Sequence, residues 1–452
     1  MSAAALMARE MGFIVDGCDI EKDTAYLKKI KKSSVKVFYG HDKKHLEGCD
    51  ILVVSPAILY VNKNHPEFTY GKSEKEVLTW QEFVGKYLQE DKEVIAISGT
   101  HGKSTTTALA ALILSNAELD PNVIVGATIP DWSSNFRVGK SKIFVIEADE
   151  FFDNFLNYSP NVIILNNIEF DHPDYFKNEE SVLKSFKSFV KKMKRNGTLI
   201  VNLDSDGVIK LLKSLGTHNL SKLSLYGYTL KQVPEFSTKI LVYGSVTQKS
   251  PDSTNFLVYS NELGLDDGFK LKIPGDHNVS NALGVITLAK ILNIDLEIVK
   301  SVLITFDGVG RRLELIGEKK GVKVFDDYAH HPTAIRATIS ALRQKYPSQK
   351  IWTIVEPHSF SRTKALLKNY EGVFESADEV IIGPIFKARD VKTFGVNGAS
   401  IVKAAKHKSA IYLDNLGKIV RFIKKNVKVD DVILVMGAGK SYLWSREILR
   451  KL

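Results

Sequence analysis

"EVIAISGTHGKSTTTALAALIL", residues 93–114, carries the reading of the fold. It opens as a short β-branched apolar run, breaks at a loop bracketed by Gly99 and Gly102, and continues as a helix-forming run of small and apolar residues. A buried strand that passes through a glycine turn into a helix is one unit of a parallel α/β layer. The turn has phosphate-binding chemistry. Glycines let backbone N–H groups face an anion, the following helix adds its positive N-terminal end, Lys103 supplies a point charge and the Ser104 hydroxyl can ligate magnesium. The general P-loop pattern separates its two glycines by four residues, whereas only two lie between Gly99 and Gly102.

The same alternation runs outward in both directions. Strands are expected within "GFIVDGCDI" (12–20), "VKVFYG" (35–40) and "DILVVSPAI" (50–58), then within "KIFVIEADE" (142–150) and "NVIILNN" (161–167). A β-rich stretch follows with "KILVYGSVTQ" (239–248), "NFLVYSNE" (255–262) and "FKLKI" (269–273), ahead of a helix over 278–293. After "FDGVGRR" (306–312) the pattern restarts with "GVKVFDDY", "KIWTIVEP", "EVIIGPIF" and "DVILVMGAG". The expectation is an α/β protein of three units: a Rossmann-like one over 1–90, a central phosphate-loop sheet with extra β-strands over 91–308, and a second Rossmann-like one over 309–452.

Ligands of an open parallel sheet gather beyond the carboxyl ends of its strands. That edge receives Glu147, Asp149 and Glu150 from one strand, and Asn166, Asn167, Glu169, Asp171 and His172 from another. A carboxylate and a neutral imidazole beside a phosphate loop suit magnesium. "PGDHNVSNA" offers His277, Asn278 and Asn281; an N-cap accounts for one asparagine but not for two on one helix face. "GVGRR" offers Arg311 and Arg312 to a transferring phosphoryl group. "VFDDYAHHPTAI" brings Asp326, Asp327, His330 and His331 ahead of a helix opened by Pro332, and "EPHSFSRT" brings His358, Ser361 and Arg362. "MGAGKS" (436–441) reads as a glycine turn.

Composition limits the alternatives. With 452 residues, 44% of them hydrophobic, the chain can build several cores, and no run approaches the ~18 apolar residues of a membrane helix. No secretory signal opens it, so a cytoplasmic location is expected. Cys18 and Cys49 make no disulfide framework, cannot form a thiolate zinc site by themselves, and read as buried small apolar residues. The net charge of +10 is spread over scattered lysines, which suits anionic small molecules. The densest basic runs, 191–197 and 421–428, read as solvated helix ends rather than nucleic-acid patches.

Taken in order, "GTHGKSTTT", "EADE", "NIEFDH", "GDHNVSNA", "GVGRR", "DDYAHHPTAI" and "EPHSFSRTKAL" resemble the Mur ligases of peptidoglycan synthesis over nearly the whole chain. The resemblance implies a UDP-sugar domain, a central ATPase domain and a C-terminal domain that closes over the amino acid. It implies ATP-dependent joining of an amino acid, nearest to L-alanine, to UDP-N-acetylmuramate through an acyl phosphate. Attachment of a murein tripeptide is the second choice.

Carried over residue by residue, Gly99, Thr100, His101, Gly102, Lys103, Ser104 and Thr105 would cradle the ATP phosphates, and Ser104, Glu147 and His172 would hold Mg2+. Asn278 and Asn281 would contact the nucleotide, with Arg312 and Asp327 completing the site. His331 and Arg362 would face the substrate. Lys103, Glu147, His172 and Arg312 would be the catalytic set. The implied partners are small molecules, without nucleic acid or membrane, for a monomer or dimer. Family members begin with a strand and a glycine-rich turn, whereas "MSAAALMARE" reads as the helix after that turn, so an upstream start is expected. Readings of another class are a nucleic-acid-stimulated P-loop ATPase and a nucleotide-binding protein without ligase activity.

Overall fold

In the computed structural model, which describes all residues except 22–24, 34, 57, 59–63, 232–235 and 237, β5 (Glu93–Ser98) runs inside the largest sheet. Its neighbours, both parallel to it, are β8 (Ile143–Glu147) and β9 (Val162–Leu165). Alternate side chains of β5 enter different cores. Ile95 and Ile97 pack with Leu109, Ile113 and Val285, while Val94 and Ala96 pack with Phe144, Phe155, Phe186 and Phe189. A strand buried on both faces must be apolar throughout, as this one is.

Among the described residues this sheet has ten strands. Beyond β8 lie β6 (Asn122–Ile129) and β7 (Ser134–Arg137); beyond β9 lie β10 (Thr198–Asn202), β11 (Ser224–Thr229), β12 (Ile240–Ser250), β13 (Ser253–Ser260) and β14 (Leu265–Leu271). The last three form the β-rich extension, paired antiparallel in a meander. Strands β6, β7, β10 and β11 had no counterpart in the sequence reading. β10 has only three consecutive apolar residues and β11 is interrupted by Gly227, so neither presents a sustained apolar run.

The helix Lys103–Asn116 follows β5 and packs beside the helix Asp276–Ile291. The first ninety residues form two parallel pairs, β1 (Asp16–Asp19) with β2 (Lys36–Tyr39) and β3 (Ile51–Val54) with β4 (Glu76–Thr79). Residue 57 of the expected strand over 50–58 lies outside the described residues. The opening segment is a helix, Ser2–Glu10, whose Ala3, Ala4, Met7 and Ala8 pack with Phe83, Val84 and Leu88.

The C-terminal sheet orders β15 (Glu314–Lys319), β16 (Val322–Asp327), β20 (Val432–Met436), β17 (Ile351–Val355), β18 (Glu379–Ile382) and β19 (Ala410–Tyr412), with β15 antiparallel to the rest. Its helix Pro332–Lys345 starts at Pro332 with His331 as N-cap, as the X-Pro pattern predicts. The basic runs lie at helix ends, closing Glu179–Lys191 and Leu416–Asn426. Among the described residues no helix is long and apolar enough to cross a membrane. Neither cysteine is fully buried. Cys18 lies in a polar cluster, which corrects the expectation of a small apolar core residue, because its sulfur meets a carboxylate rather than hydrocarbon.

Candidate active site

The loop after β5 is held open by backbone geometry that only glycine accepts. Gly99 and Gly102 have φ of 135° and 80°. A Cβ on Gly102 would lie 2.5 Å from Asn281 Oδ1, so that asparagine lines the turn itself. Gly102 caps the helix Lys103–Asn116 without a side-chain hydrogen bond, leaving the first-turn N–H groups as an anion site.

Lys103 Nζ donates to Gly99 O at 2.6 Å and to Glu150 Oε2 at 2.7 Å. Burial disfavours its charge, yet Glu150, Asp149 and Glu147 hold its pKa above the ordinary lysine value. Burial pushes Glu150 up, against the pull of Lys103. Ser104 Oγ donates to Glu147 Oε1 at 3.0 Å, and the other oxygen of Glu147 accepts from Gly126 N at 2.6 Å. A hydroxyl and a carboxylate side by side at a phosphate loop are hard oxygen donors of the kind magnesium takes.

The loop after β9 supports this one and reaches across to the C-terminal sheet. Asn167 Oδ1 accepts from His101 N at 2.8 Å, and Asn166 Nδ2 donates to Thr106 Oγ1 at 2.9 Å. Glu169 Oε2 accepts from Thr333 Oγ1 at 2.7 Å and lies 3.4 Å and 3.5 Å from His101 and His331. These partners outweigh the burial of Glu169 and bring its pKa down to about 2. Asp171 receives Arg362 Nε at 2.5 Å. Glu169 and Asp171 are therefore joined to the C-terminal unit. His172, in the left-handed region with φ of 54°, stacks on Phe151 and has its Nδ1 3.3 Å from Arg362 Nη2.

The helix Asp276–Ile291 is capped by Gly275, so neither asparagine is its N-cap. Asn278 Nδ2 closes the turn onto Pro274 O at 2.7 Å, and Asn281 Nδ2 reaches Asn278 Oδ1 at 3.4 Å. On the C-terminal side the two arginines separate. Arg311 is spent on Asp326 (2.9 Å), Gly437 O (2.7 Å) and Ser441 Oγ (2.9 Å). The Arg312 guanidinium lies over the Tyr328 ring at 5.4 Å. Burial, then the charge of Arg312, brings His277 down to about 4. Asp327 accepts from Leu313 N and Ala329 N at 2.8 Å and 2.7 Å, anchoring the residues around Arg312. Burial also brings His331 down to about 4, so it is neutral at neutral pH.

The phosphate loop and its carboxylates stand beside the loop after β9, which Glu169–Thr333 and Asp171–Arg362 join to the C-terminal unit, and comparison with protein families covers all of these segments. The family model described as "Mur ligase middle domain" matches residues 97–289, "Mur ligase, glutamate ligase domain" matches 311–439, and "Mur ligase family, catalytic domain" matches 1–88. The chain belongs to the Mur ligase family. It is 35% identical over 445 residues to a UDP-N-acetylmuramate–L-alanine ligase of Caldicellulosiruptor saccharolyticus, covering 97% of this chain and 93% of the relative. Among solved structures, the UDP-N-acetylmuramate–alanine ligase of Thermotoga maritima matches with a TM-score of 0.78 and 26% identity, covering 100% of this chain and 96% of that one. The murein peptide ligase of Psychrobacter arcticus shares the fold, with a TM-score of 0.72 and 24% identity over 100% and 96% of the two chains. Mur ligases are ATP-dependent enzymes that form amide bonds, and this chain is one of them.

Sequence reasoning about this Mur ligase missed two side chains near these loops. Glu150 stood at the strand edge without a role, and its pairing with Lys103 follows only from the fold. Arg389, 4.8 Å over Phe151 and 3.7 Å from Asp174, was not found. Its one signal is its place in the loop after β18, at the ligand edge of the C-terminal sheet.

Proposed function

We propose that this Mur ligase joins L-alanine to the carboxylate of UDP-N-acetylmuramate with ATP, in peptidoglycan precursor synthesis. The observation that carries the reading is the convergence of Lys103, Ser104 and Glu147 on one loop. The loop after β9 meets the helix starts that follow β16 and β17 through Glu169–Thr333 and Asp171–Arg362. The full-length relative that adds L-alanine supports the choice of acceptor.

In this reading the backbone of residues 99–105 cradles the phosphates of ATP and Lys103 neutralises them. Asn278 and Asn281 contact the nucleotide. Ser104, Glu147 and His172 would hold Mg2+, which would neutralise phosphate charge during transfer. The substrate carboxylate attacks the γ-phosphorus, ADP leaves, and an acyl phosphate forms; the amine then displaces inorganic phosphate and gives up a proton. Arg312, with Asp327 holding its segment, offsets negative charge during transfer. Neutral His331 and Arg362 face the amino-acid side. Burial of the Arg362–Asp171 contact keeps water from the reactive acyl phosphate. The enzyme acts in the cytoplasm as a monomer or dimer, with joints between its three domains near residues 90 and 308.

The test is phosphate release with ATP, magnesium and UDP-N-acetylmuramate, comparing L-alanine with the tripeptide L-alanyl-γ-D-glutamyl-meso-diaminopimelate. Release that requires alanine is expected. Dependence on the tripeptide instead would reassign the enzyme to cell-wall recycling, and silence with both acceptors would overturn the ligase reading.

A further inference from the structure

The first ninety residues hold a second cluster of ligating side chains, separate from the loops above. Cys18 lies in β1, His41 follows β2, His45 lies in the short turn Lys43–Leu46, and His65 and Glu67 open the helix Pro66–Glu74. Cys18 Sγ lies 3.2 Å from each oxygen of Glu67 and 3.3 Å from His41 Nδ1. His41 Nδ1 is 3.1 Å from Glu67 Oε2, and His45 Nδ1 is 2.8 Å from Glu67 Oε1. Ligand atoms of Cys18, His45 and Glu67 all fall within 4.8 Å of one another, as do those of His41, His65 and Glu67.

Two features of this cluster point to a ligand. His65 is only 6% exposed, and among the described residues neither of its ring nitrogens has a hydrogen-bond partner. Leaving both polar atoms buried and unpaired is costly, and native structures rarely do so. The spacing also fits a cation. Zinc bonds of ~2.3 Å to sulfur and ~2.0–2.1 Å to nitrogen or oxygen give tetrahedral edges of roughly 3.3–3.6 Å. The observed separations of 3.1–3.3 Å around Cys18, His41 and Glu67 lie close to that size.

We propose that Cys18 and Glu67, with two imidazoles drawn from His41, His45 and His65, bind a zinc-class divalent cation. Thiolate, imidazole and carboxylate together form a borderline-soft donor set that zinc favours over magnesium. Binding releases the Cys18 thiol proton to solvent. The cation ties the ends of β1 and β2 to the helix beside β3 and β4, joining two separate two-stranded sheets at a point that hydrophobic packing leaves polar.

The test uses the full chain, stripped with EDTA and titrated with zinc against a chromophoric chelator, then with cobalt as a spectroscopic probe. One equivalent of zinc is expected, with a thiolate-to-cobalt charge-transfer band. Cys18→Ser should lose that band and weaken zinc by more than ~100-fold, beyond the effect of an outer-shell change. His65→Gln should weaken zinc by about tenfold. His331→Gln should leave the band unchanged, since His101, Glu169 and His331 form a separate grouping. Should Cys18→Ser fail to fold, alkylation of the unmodified protein replaces it: zinc should protect Cys18 while Cys49 reacts as before. A protein that retains no zinc, that binds it equally well as Cys18→Ser, or whose Cys18 alkylates at the same rate with zinc present, would overturn the proposal.

Discussion

Arg362 donates from Nε to Oδ1 of Asp171 at 2.5 Å, joining the C-terminal sheet to the loop after β9, with both side chains buried. Burial alone would raise the carboxyl of Asp171, and the guanidinium instead holds it well below the usual range. Removing one partner leaves a buried charge uncompensated, at about 3–5 kcal/mol. Asp171→Ala and Arg362→Ala should each lower the urea midpoint, and the double variant should lose less than their sum. Strict additivity would mean that the pair does not couple the two units.

Lys103→Ala and Glu147→Gln should each lower ATP-dependent ligation by about 10²–10³-fold or more while far-UV circular dichroism is unchanged. The fold should survive loss of Lys103, since burial already pushes the Glu150 carboxyl up and a protonated Glu150 leaves no unpaired buried anion. A folded variant that turns over at a near-normal rate would remove its residue from the catalytic set.

The two adjacent arginines should separate by readout. Arg311→Ala breaks the contacts to Asp326, Gly437 O and Ser441, so it should cost on the order of 1.5–3 kcal/mol or more in stability. Arg312→Ala should leave the melting temperature in place and reduce turnover by roughly 10²-fold. The reverse pattern in melting and phosphate release would exchange their roles.

Gly102→Ala places a methyl 2.5 Å from Asn281 Oδ1 and 2.9 Å from Asn166 Nδ2 on a backbone with φ of 80°. The strain should cost about 1–3 kcal/mol, and displacement of Asn281 should raise the KM for ATP. Wild-type melting and wild-type KM together would show that the turn tolerates a side chain.

Glu356 supplies a pH dependence. Burial pushes its carboxyl up to about 7, although Ser441 N donates to it at 2.8 Å. An unfolded glutamate titrates near ~4.3, so between about 4.3 and 7 the folded state holds the extra proton. The unfolded chain binds fewer protons in that window, and the contribution of this group to stability therefore falls as pH rises through it. Urea unfolding at about pH 4.5 and pH 7.5 should differ by on the order of 1–3 kcal/mol from this group. Glu356→Gln should flatten that difference, and an unchanged slope would place the titration elsewhere.

The central strand, its loop and the helix after it were legible because strand burial, glycine conformation and helix polarity are local and follow each other along the chain. So were His331 ahead of Pro332 and the restart after "GVGRR". Strands β10 and β11 were not, because neither carries a sustained apolar run of its own. Cys18 was misread as apolar because its Glu67 partner lies 49 residues away.

By itself the sequence determined the α/β class, the phosphate loop at a strand's carboxyl end and the set of polar residues available there. Tertiary structure decided their pairing: Glu150 rather than Glu147 on Lys103, Asp171 on Arg362, Glu169 with Thr333, and Arg311 spent where Arg312 is not. Local conformation depends on neighbours in the chain, whereas an ion pair depends on distance in space. Here Asp171 and Arg362 stand 191 residues apart, and only packing of the two sheets brings them together.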